Sequence, residues 1–234
     1  RELARTHRMI SSDLVRVRNR LKATFRARGI ATAGRGVYRQ GEREKWLARL
    51  DPASRATATL LLQELDALVV LDAQSAQQLV RESHRHPVAR VLETAPGIGP
   101  IRAAELMAVV VTPHRFRTVK QFLSYSGLGI VTRSSADWVR EGGRWVRAQV
   151  PRTVGLSRRH NRTLKVVLKG AATTVLSARC CRPLCEHYDQ LLEEGTKPNL
   201  AKLTIARRIA TIVFAMYKNE EVFDPQRLRS TVTT

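Results

Sequence analysis

The chain has 234 residues, of which 43% are hydrophobic and only 5% aromatic, so it can bury a core and is not disordered by composition. Its 41 Lys and Arg against 20 Asp and Glu give a net charge of +21, which predicts a polyanionic partner such as nucleic acid. No apolar run approaches the roughly 20 residues that span a bilayer, so no membrane-spanning helix is expected.

The N-terminal segment has the spacing of one long amphipathic helix. Ile10, Leu14, Val17, Leu21 and Phe25 recur every three or four residues, which places them on one face. Basic residues crowd the other faces, and a glycine at position 29 is expected to end the helix.

A second helical stretch is predicted from about Glu42 to His84. Asp51–Pro52 interrupts it, because proline is tolerated in the first turn of a helix and aspartate can cap that turn. Leu61, Leu65 and Leu68 form an apolar seam. Two helices joined by a loop predict an antiparallel hairpin, and the seam suits either packing within one domain or a coiled coil that makes a homo-oligomer.

Glycine and proline become frequent after His86–Pro87, and the predicted elements become shorter. We therefore expect a helical region over residues 1–86, a C-terminal domain over 87–225 and a polar tail over 226–234. The elements expected within the domain are helices at 101–111, 119–125, 163–178, 188–192 and 201–218, an extended segment at 128–133, and a basic, aromatic-containing loop or hairpin at 134–156.

A tight turn between two helices is predicted at Pro96–Gly97–Ile98–Gly99. Two glycines let the backbone turn sharply, and the amides at the start of the next helix can then hold a phosphate. This pattern is typical of helix-hairpin-helix elements, which bind the DNA backbone, although a Gly-x-Gly turn without a ligand has the same sequence. Gly97, Ile98, Gly99 and Arg102 are the candidate nucleic-acid-binding residues of this turn.

The predicted fold is thus mainly α. A long antiparallel helical hairpin or coiled coil is followed by a helical domain with a helix-hairpin-helix element and a small irregular or β insert.

Two adjacent serines, Ser134 and Ser135, lie in a polar segment after Gly127–Leu128–Gly129. Serine in such a segment can be a turn former, whereas a serine nucleophile needs a base, a metal ion or cationic neighbours. Arginine is frequent around them, and its planar guanidinium suits phosphate. The candidate nucleic-acid-binding residues here are Arg133, Arg140, Arg144, Arg147, Arg158, Arg159 and Lys165.

The three cysteines, Cys180, Cys181 and Cys185, share one short segment with His187. Their odd number and close spacing argue against a disulfide framework. Zinc is an alternative, but adjacent cysteines are poor joint ligands for one ion. Reduced thiols are the simpler interpretation, and no metal site is expected within the chain.

Several motifs occur in the order that is typical of one transposase family. They are Pro96–Gly97–Ile98–Gly99, Arg115–Phe116, Phe122 with Tyr125 and Gly127–Leu128, Ser134–Ser135, Asn161 with Leu164–Lys165, Gly170–Ala171–Ala172, and Ala201–Lys202 with the segment from Ile205 to Ile209. The N-terminal segment is similar to the central helical stretch of the same family. Over nearly its whole length the chain resembles the central and C-terminal parts of the IS110 (IS116/IS902-type) insertion-sequence transposases.

The resemblance implies a DNA-binding transposase that cleaves and exchanges DNA strands through a serine nucleophile. Matched by position, this serine is Ser135, with Ser134 the alternative. In the family an upstream RNase H-like domain carries an Asp-Glu-Asp-Asp site for Mg²⁺, and some members are guided by a structured bridge RNA. The implied partners are therefore DNA and, as in some members, RNA, at a bacterial cytoplasmic, nucleoid-associated location.

The sequence departs from the family pattern near the serines. The family usually has glycine after the serine, where this chain has Ala136 and Asp137, and His160 replaces a customary glycine. The four metal-binding carboxylates would lie upstream of Arg1, so the RNase H-like domain is expected to be largely absent. Without it the chain is expected to bind DNA but not to cut it. The alternative function is a non-enzymatic helix-hairpin-helix protein that binds nucleic acid.

Overall fold

A computed structural model describes residues 1–133, 138–147, 152–226 and 228. The chain divides into two compact units, Arg1–Glu82 and Ser83–Thr234. Within the described residues, no helix is both long and apolar enough to span a membrane.

Unit 1 is a helical hairpin built from α1 (Glu2–Arg26), the short α2 (Arg43–Leu47) and α3 (Pro52–Ser83). His7 Nδ1 near the start of α1 lies 3.0 Å from Ser75 Oγ near the end of α3. At the opposite end, Arg28 Nε donates to Ser54 Oγ at 2.9 Å. Because the two helices meet in reverse order along the chain, the hairpin is antiparallel, as predicted.

The apolar face predicted for α1 forms the core of unit 1. Leu14, Val17, Leu21 and Phe25 are all buried, and Ile10 at the N-terminal end of the face is half-buried. The residues that complete this core come from α3 and from the segment between α1 and α3, which includes α2: Ile30, Val37, Leu47, Leu50, Ala58, Leu62 and Leu65. Burying this apolar surface is the main stabilising contribution to the hairpin.

The apolar seam of α3 packs into the core of unit 1. Leu65 is only 1% exposed, and Leu61 and Leu68 pack against the same core. Packing of the seam within one domain, one of the two predicted alternatives, is therefore observed, and the homo-oligomer stays a prediction. The large apolar side chains that α3 leaves exposed are Leu60, Val69, Val70 and Leu71.

The predicted cap at Asp51 is confirmed. The Ser54 backbone N–H donates to Asp51 Oδ1 at 3.0 Å at the start of α3, and Arg28 donates to the other carboxylate oxygen at 2.8 Å. The Ser54 N–H and then Arg28 hold the pKa of Asp51 well below its usual range. Capping satisfies an amide that the first helical turn leaves without a partner, which is why α3 begins here.

A bidentate ion pair joins α2 to α3. Arg43 donates from its two terminal nitrogens to the two carboxylate oxygens of Asp66, at 2.6 and 2.7 Å. Hydrogen bonding from Arg43 lowers the pKa of Asp66.

Asp66→Asn should therefore lower the free energy of unfolding of unit 1 by about 1 kcal/mol at neutral pH. Since the folded-state pKa lies below the unfolded value of about 3.9, the stabilisation is present above that value and is lost as pH falls through the folded pKa. The difference from wild type should shrink below about pH 4. Urea unfolding followed by Trp46 fluorescence, with Trp138 and Trp145 changed to Phe in both proteins, measures it. An equal difference at pH 7 and at about pH 2.5 would contradict this assignment.

Unit 2 is a helical domain with a β insert. Its helices are α4 (Pro87–Glu93), α5 (Pro100–Val110), α6 (Val119–Tyr125), α7 (Arg162–Ala178), α8 (Arg182–Glu193) and α9 (Pro198–Asn219). Helix α9 contacts α4, α6, α7 and α8, and α7 also contacts α5. Accordingly α9 buries residues along its whole length: Ala201, Ile205, Ala206, Ile209, Ala210, Val213, Phe214, Met216 and Tyr217.

The β insert lies between α6 and α7 and consists of two antiparallel ladders. The strands β1 (Ile130–Arg133) and β4 (Arg152–Leu156) pair with each other, with an irregularity between Val131 and Thr132. The strands β2 (Trp138–Glu141) and β3 (Arg144–Arg147) pair around Gly142–Gly143. Both glycines have positive φ, 58° and 83°, as a two-residue hairpin turn requires.

The prediction of a mainly α protein with a helical hairpin and a small β insert is confirmed. The match of the α4–α5 turn to a helix-hairpin-helix element stays a prediction.

Candidate nucleic-acid interface

The turn between α4 and α5 rests directly on α7. Gly97 has a φ of 71°, in the left-handed region that favours glycine. A Cβ at this position would lie 3.0 Å from the carbonyl carbon of Ala171 and closer still to its oxygen. Glycine is therefore required at position 97 by the backbone conformation and by the packing on α7, whether or not a phosphate binds there.

Arg102 holds the same turn from the first part of α5. Its Nη1 donates to the Gly97 carbonyl oxygen at 2.7 Å and to Thr174 Oγ1 on α7 at 2.9 Å. A Cβ at Gly170 would lie 3.2 Å from the Arg102 Nε and Nη2 atoms. Two motifs of the family resemblance, at 96–99 and at 170–172, thus form one structural contact. One nitrogen of Arg102 is engaged inside the protein, so phosphate binding by Arg102 stays a prediction.

The other two residues of the turn face different surroundings. Ile98 is 3% exposed and belongs to the core of unit 2, so only its backbone could contact DNA. Gly99 has extended backbone at the N-terminus of α5, is exposed, and has open space where a Cβ would point. Gly99 is therefore the position of this turn at which a side chain would obstruct a ligand without disturbing the core.

The aromatic residues of the resemblance form a cluster in the core of unit 2. The ring of Phe116 lies 5.4 Å from that of Phe122 and 5.3 Å from that of Tyr125, and Phe122 stacks on Phe214 of α9 at 5.0 Å. The Arg115 guanidinium lies over the Phe116 and Tyr125 rings, at 4.8 and 4.5 Å. These residues fix α6, the helix that precedes the β insert, against α9.

The base of the β insert is fixed by Gly127 and His160. Gly127 follows α6 with a φ of 71°, and a Cβ there would lie 2.5 Å from the His160 ring. His160 Nδ1 lies 2.9 Å from the carbonyl oxygen of Ser157, and Leu128 is fully buried. His160, which departs from the family pattern, therefore fills the space above Gly127.

Three hydrogen bonds join the two ends of the insert. The Ser157 N–H donates to the Gly129 carbonyl at 3.0 Å, just beyond the β1–β4 ladder. The Asn161 N–H donates to the Tyr125 carbonyl at 2.8 Å, and its side-chain amide donates to the Tyr125 hydroxyl at 3.3 Å. Asn161 also caps α7 by accepting from an amide of its first turn. The insert therefore leaves the helical core from a rigid base.

The predicted nucleophile Ser135 and its alternative Ser134 lie outside the described residues, as do the side chains of Arg133 and Arg147. In the chain Ser134 and Ser135 follow β1 directly, and the backbone of Arg133 pairs with that of Arg152 at the end of the ladder. The structure thus describes the support of the serine segment, and the role of the serines stays a prediction.

The other predicted binding residues lie on the insert or at its base. Arg140 and Arg144 are exposed on the β2–β3 hairpin, and Arg158 and Arg159 are exposed between β4 and α7. Among the side chains that the structure describes, no carboxylate forms an ion pair with any of these four arginines, whereas Arg179 pairs with Asp189 and Arg182 with Glu186. Lys165 is half-buried on α7.

The exposed tryptophans of the insert were missed as functional candidates. Trp138 and Trp145 are 59% and 66% exposed on the β2–β3 hairpin, although tryptophan normally buries most of its surface. The signal in the sequence is the Gly142–Gly143 pair between two segments that contain Trp and Arg. This pattern predicts a hairpin, but it does not predict which face of the hairpin is exposed to solvent.

The cysteine segment is structural. Cys181 and Cys185 are buried beside α7, where the Cys185 thiol lies 3.6 Å from the Val175 carbonyl oxygen, and burial raises the pKa of Cys181. Helix α8 begins at Arg182, six residues before the helical segment that was predicted from residue 188.

Among the described residues, no three His, Cys, Asp or Glu side chains come together as a metal site. The described part of this chain therefore does not fit the Mg²⁺ that the resemblance implies.

The chain is similar to known proteins of insertion sequences. Residues 89–189, from α4 through the insert to α8, match the Transposase IS116/IS110/IS902 family. The chain is 27% identical over 177 residues to the "Insertion element IS116 uncharacterized 44.8 kDa protein" of Streptomyces clavuligerus, which covers 74% of the chain and 41% of that protein. It is 28% identical over 172 residues to a "Probable family 20 transposase" of Pseudomonas aeruginosa, covering 70% and 47%.

The chain spans less than half the length of these two relatives. The matched segment contains Pro96–Gly99, the aromatic residues between 116 and 125, and Ser134–Ser135, which carried part of the resemblance, whereas the motif at Ala201–Ile209 lies beyond it. Over residues 89–189 the chain is similar to the IS116/IS110/IS902 family of insertion-sequence transposases, and both relatives are similar to it over 70% or more of its length.

Proposed function

We propose that this chain is the DNA-binding and serine-bearing part of a transposase that cleaves and exchanges DNA strands. The observation that carries the proposal is the family match over 89–189, a range that contains Ser134, Ser135 and the β insert. The exposed arginines of that insert and its base supply positive charge for the DNA backbone.

In the proposed reaction the Ser135 hydroxyl oxygen attacks a DNA phosphorus. A bond forms between this oxygen and phosphorus, and the serine proton passes to a general base. The bond from phosphorus to one deoxyribose oxygen breaks, and this oxygen takes up a proton to leave as a strand-end hydroxyl. The strand end thereby becomes a phosphodiester of the protein, which a DNA hydroxyl can later displace to complete the exchange. Arginines near the segment would stabilise the negative charge that develops on the phosphate oxygens.

The general base and the Mg²⁺ are proposed to come from the RNase H-like domain that the family resemblance implies. When bound there, the metal would lower the charge at the reacting phosphate. The residues of this chain would bind and orient the DNA, so the chain alone should bind DNA without cutting it.

Three further elements of the proposal rest on the family alone. A structured bridge RNA could guide the choice of DNA target, two or more copies could act together, and the site of action would be the bacterial nucleoid.

DNA binding should be dominated by phosphate contacts. With a net charge of +21, the logarithm of the DNA association constant should fall with the logarithm of salt concentration with a slope of roughly −4 to −8. Fluorescence anisotropy with a labelled duplex over a range of NaCl concentrations measures the slope. A slope near zero would overturn the binding proposal.

A charge-matched pair of variants localises this effect. Arg158→Ala/Arg159→Ala should make the slope shallower by up to about two units, because each arginine is proposed to contact a phosphate. Arg179→Ala/Arg182→Ala removes the same charge from arginines that are paired with carboxylates, and should change the slope less. Equal effects of both variants would show that net charge, rather than the base of the insert, determines binding.

The non-enzymatic alternative predicts the same salt dependence but no covalent product. The required glycine at position 97 does not favour it, because packing on α7 accounts for that glycine. The two functions separate in the assay for a serine–DNA adduct.

A further inference from the structure

Two large aromatic side chains lie exposed at the tip of the β insert. Trp138 and Trp145 expose 59% and 66% of their surfaces, more than most of the large apolar side chains described for the chain. The third tryptophan, Trp46, packs edge-on against Phe25 in unit 1. Exposing two tryptophans on a short hairpin is unfavourable in water, which makes a functional role the better explanation.

The strand register places both tryptophans on one face of the hairpin. Trp138 and Arg140 lie two residues apart on β2, so they share a face, and Arg140 is the cross-strand partner of Trp145. Trp145 is therefore on that face as well, diagonal to Trp138, where neighbours are about 7–8 Å apart. Arg140 is exposed on the same face, so a basic side chain lies beside the two aromatic ones.

Two rings with an arginine beside them fit one class of ligand. A flat ring offers its face to any nucleobase, while an arginine beside it attracts the phosphate that follows the base. Bases inside a duplex are already stacked and cannot meet an exposed ring, so the ligand must have unpaired or opened bases. A protein partner is less suitable, because the surrounding insert carries seven arginines against Asp137 and Glu141 between residues 130 and 160.

We propose that the Trp138–Trp145 face of the β2–β3 hairpin binds unpaired bases of DNA by stacking. This proposal rests on the proposed function, since strand exchange requires DNA strands that are separated near the reacting phosphate. The hairpin is inserted in the chain between β1, which leads into Ser134 and Ser135, and β4. The stacking face and the serine segment thus belong to the same insert on the same rigid base.

The test compares single-stranded and duplex DNA on the chain of 234 residues. Trp138→Ala/Trp145→Ala should weaken binding of a dT oligonucleotide by roughly 10- to 100-fold while weakening binding of a duplex less than about threefold. Trp138→Phe/Trp145→Phe should restore most of the single-strand affinity, because phenylalanine also stacks. Anisotropy titrations at one salt concentration give all six affinities.

A matched control lies on the other face of the same ladder. Val146 is 43% exposed and, as the neighbour of Trp145, points to the opposite side. Val146→Ala should leave single-strand affinity within about twofold of wild type. In a Trp46→Phe background, the fluorescence of Trp138 and Trp145 should be quenched by the dT oligonucleotide, which detects stacking directly.

The outcomes separate this proposal from the proposed function. If the wild type binds duplex and single-stranded DNA, but the alanine double variant binds dT as tightly as wild type, the stacking proposal is wrong and DNA binding stands. If the wild type binds neither DNA, the proposed function itself fails. Tighter binding of single-stranded RNA than of DNA, lost in the same variant, would overturn the assignment of DNA as the ligand. Self-association that the variant abolishes, without any effect on dT, would overturn it in favour of a second copy.

Discussion

Gly97→Ala should destabilise unit 2 by about 2–5 kcal/mol. The new Cβ would lie 3.0 Å from the Ala171 carbonyl carbon and closer to its oxygen, so the α4–α5 turn must move away from α7. The φ of 71° adds a cost of about 1–2 kcal/mol for any residue with a side chain. Movement of the turn would also disrupt the Arg102 hydrogen bonds to Gly97 and Thr174. Urea unfolding followed by far-ultraviolet circular dichroism measures the loss.

Gly99→Ala is the matched control, because it adds the same methyl group two residues away. Gly99 has extended backbone, and a Cβ on it would meet no other atom within 4 Å, so the cost should stay below about 1 kcal/mol. If both variants lose the same stability, the close approach of Gly97 to α7 is not the cause. The pair also separates folding from binding: a larger residue at Gly99 that weakens DNA binding without loss of stability would support the predicted phosphate contact.

Helices with one clear apolar face could be predicted from the sequence. The face of α1 and the limits of α6 agree with the structure, since the three-to-four spacing and the glycine after each helix are local signals. Helix α8 was only partly predicted, because Cys185 in its first turn and the two cysteines just before it suggested ligand chemistry rather than a buried helical face. Local spacing does not tell which partner a buried residue meets.

The candidate site was less accessible to sequence analysis for the same reason. Gly97 was predicted as a phosphate-binding glycine, and its contact with Ala171, more than 70 residues later, depends on the packing of α5 on α7. The pairing of Arg140 with Trp145 depends on the register that the two-glycine turn sets. The position of Ser135 in the chain follows from the family resemblance, and its chemistry requires the biochemical test that follows.

Ser135→Ala should abolish the covalent protein–DNA product in a form of the protein that includes the RNase H-like domain implied by the resemblance. The variant has no hydroxyl to attack phosphorus, so adduct formation should fall on the order of 10³-fold or more. DNA affinity should remain within about twofold of wild type, because one small hydroxyl contributes little to an interface with many phosphates. Denaturing electrophoresis of the protein with labelled DNA and Mg²⁺ measures the adduct, and anisotropy measures the affinity.

Ser134→Ala provides the control for the register of the match, since it removes the neighbouring hydroxyl of the same segment. Its effect on the adduct should be milder than that of Ser135→Ala. If Ser134→Ala abolishes the adduct and Ser135→Ala does not, the nucleophile is Ser134 and the match is displaced by one residue. If both variants recombine DNA at the wild-type rate, neither serine is the nucleophile. In that case the exposed arginines and the rigid base of the insert would serve to bind DNA alone, which is the non-enzymatic alternative.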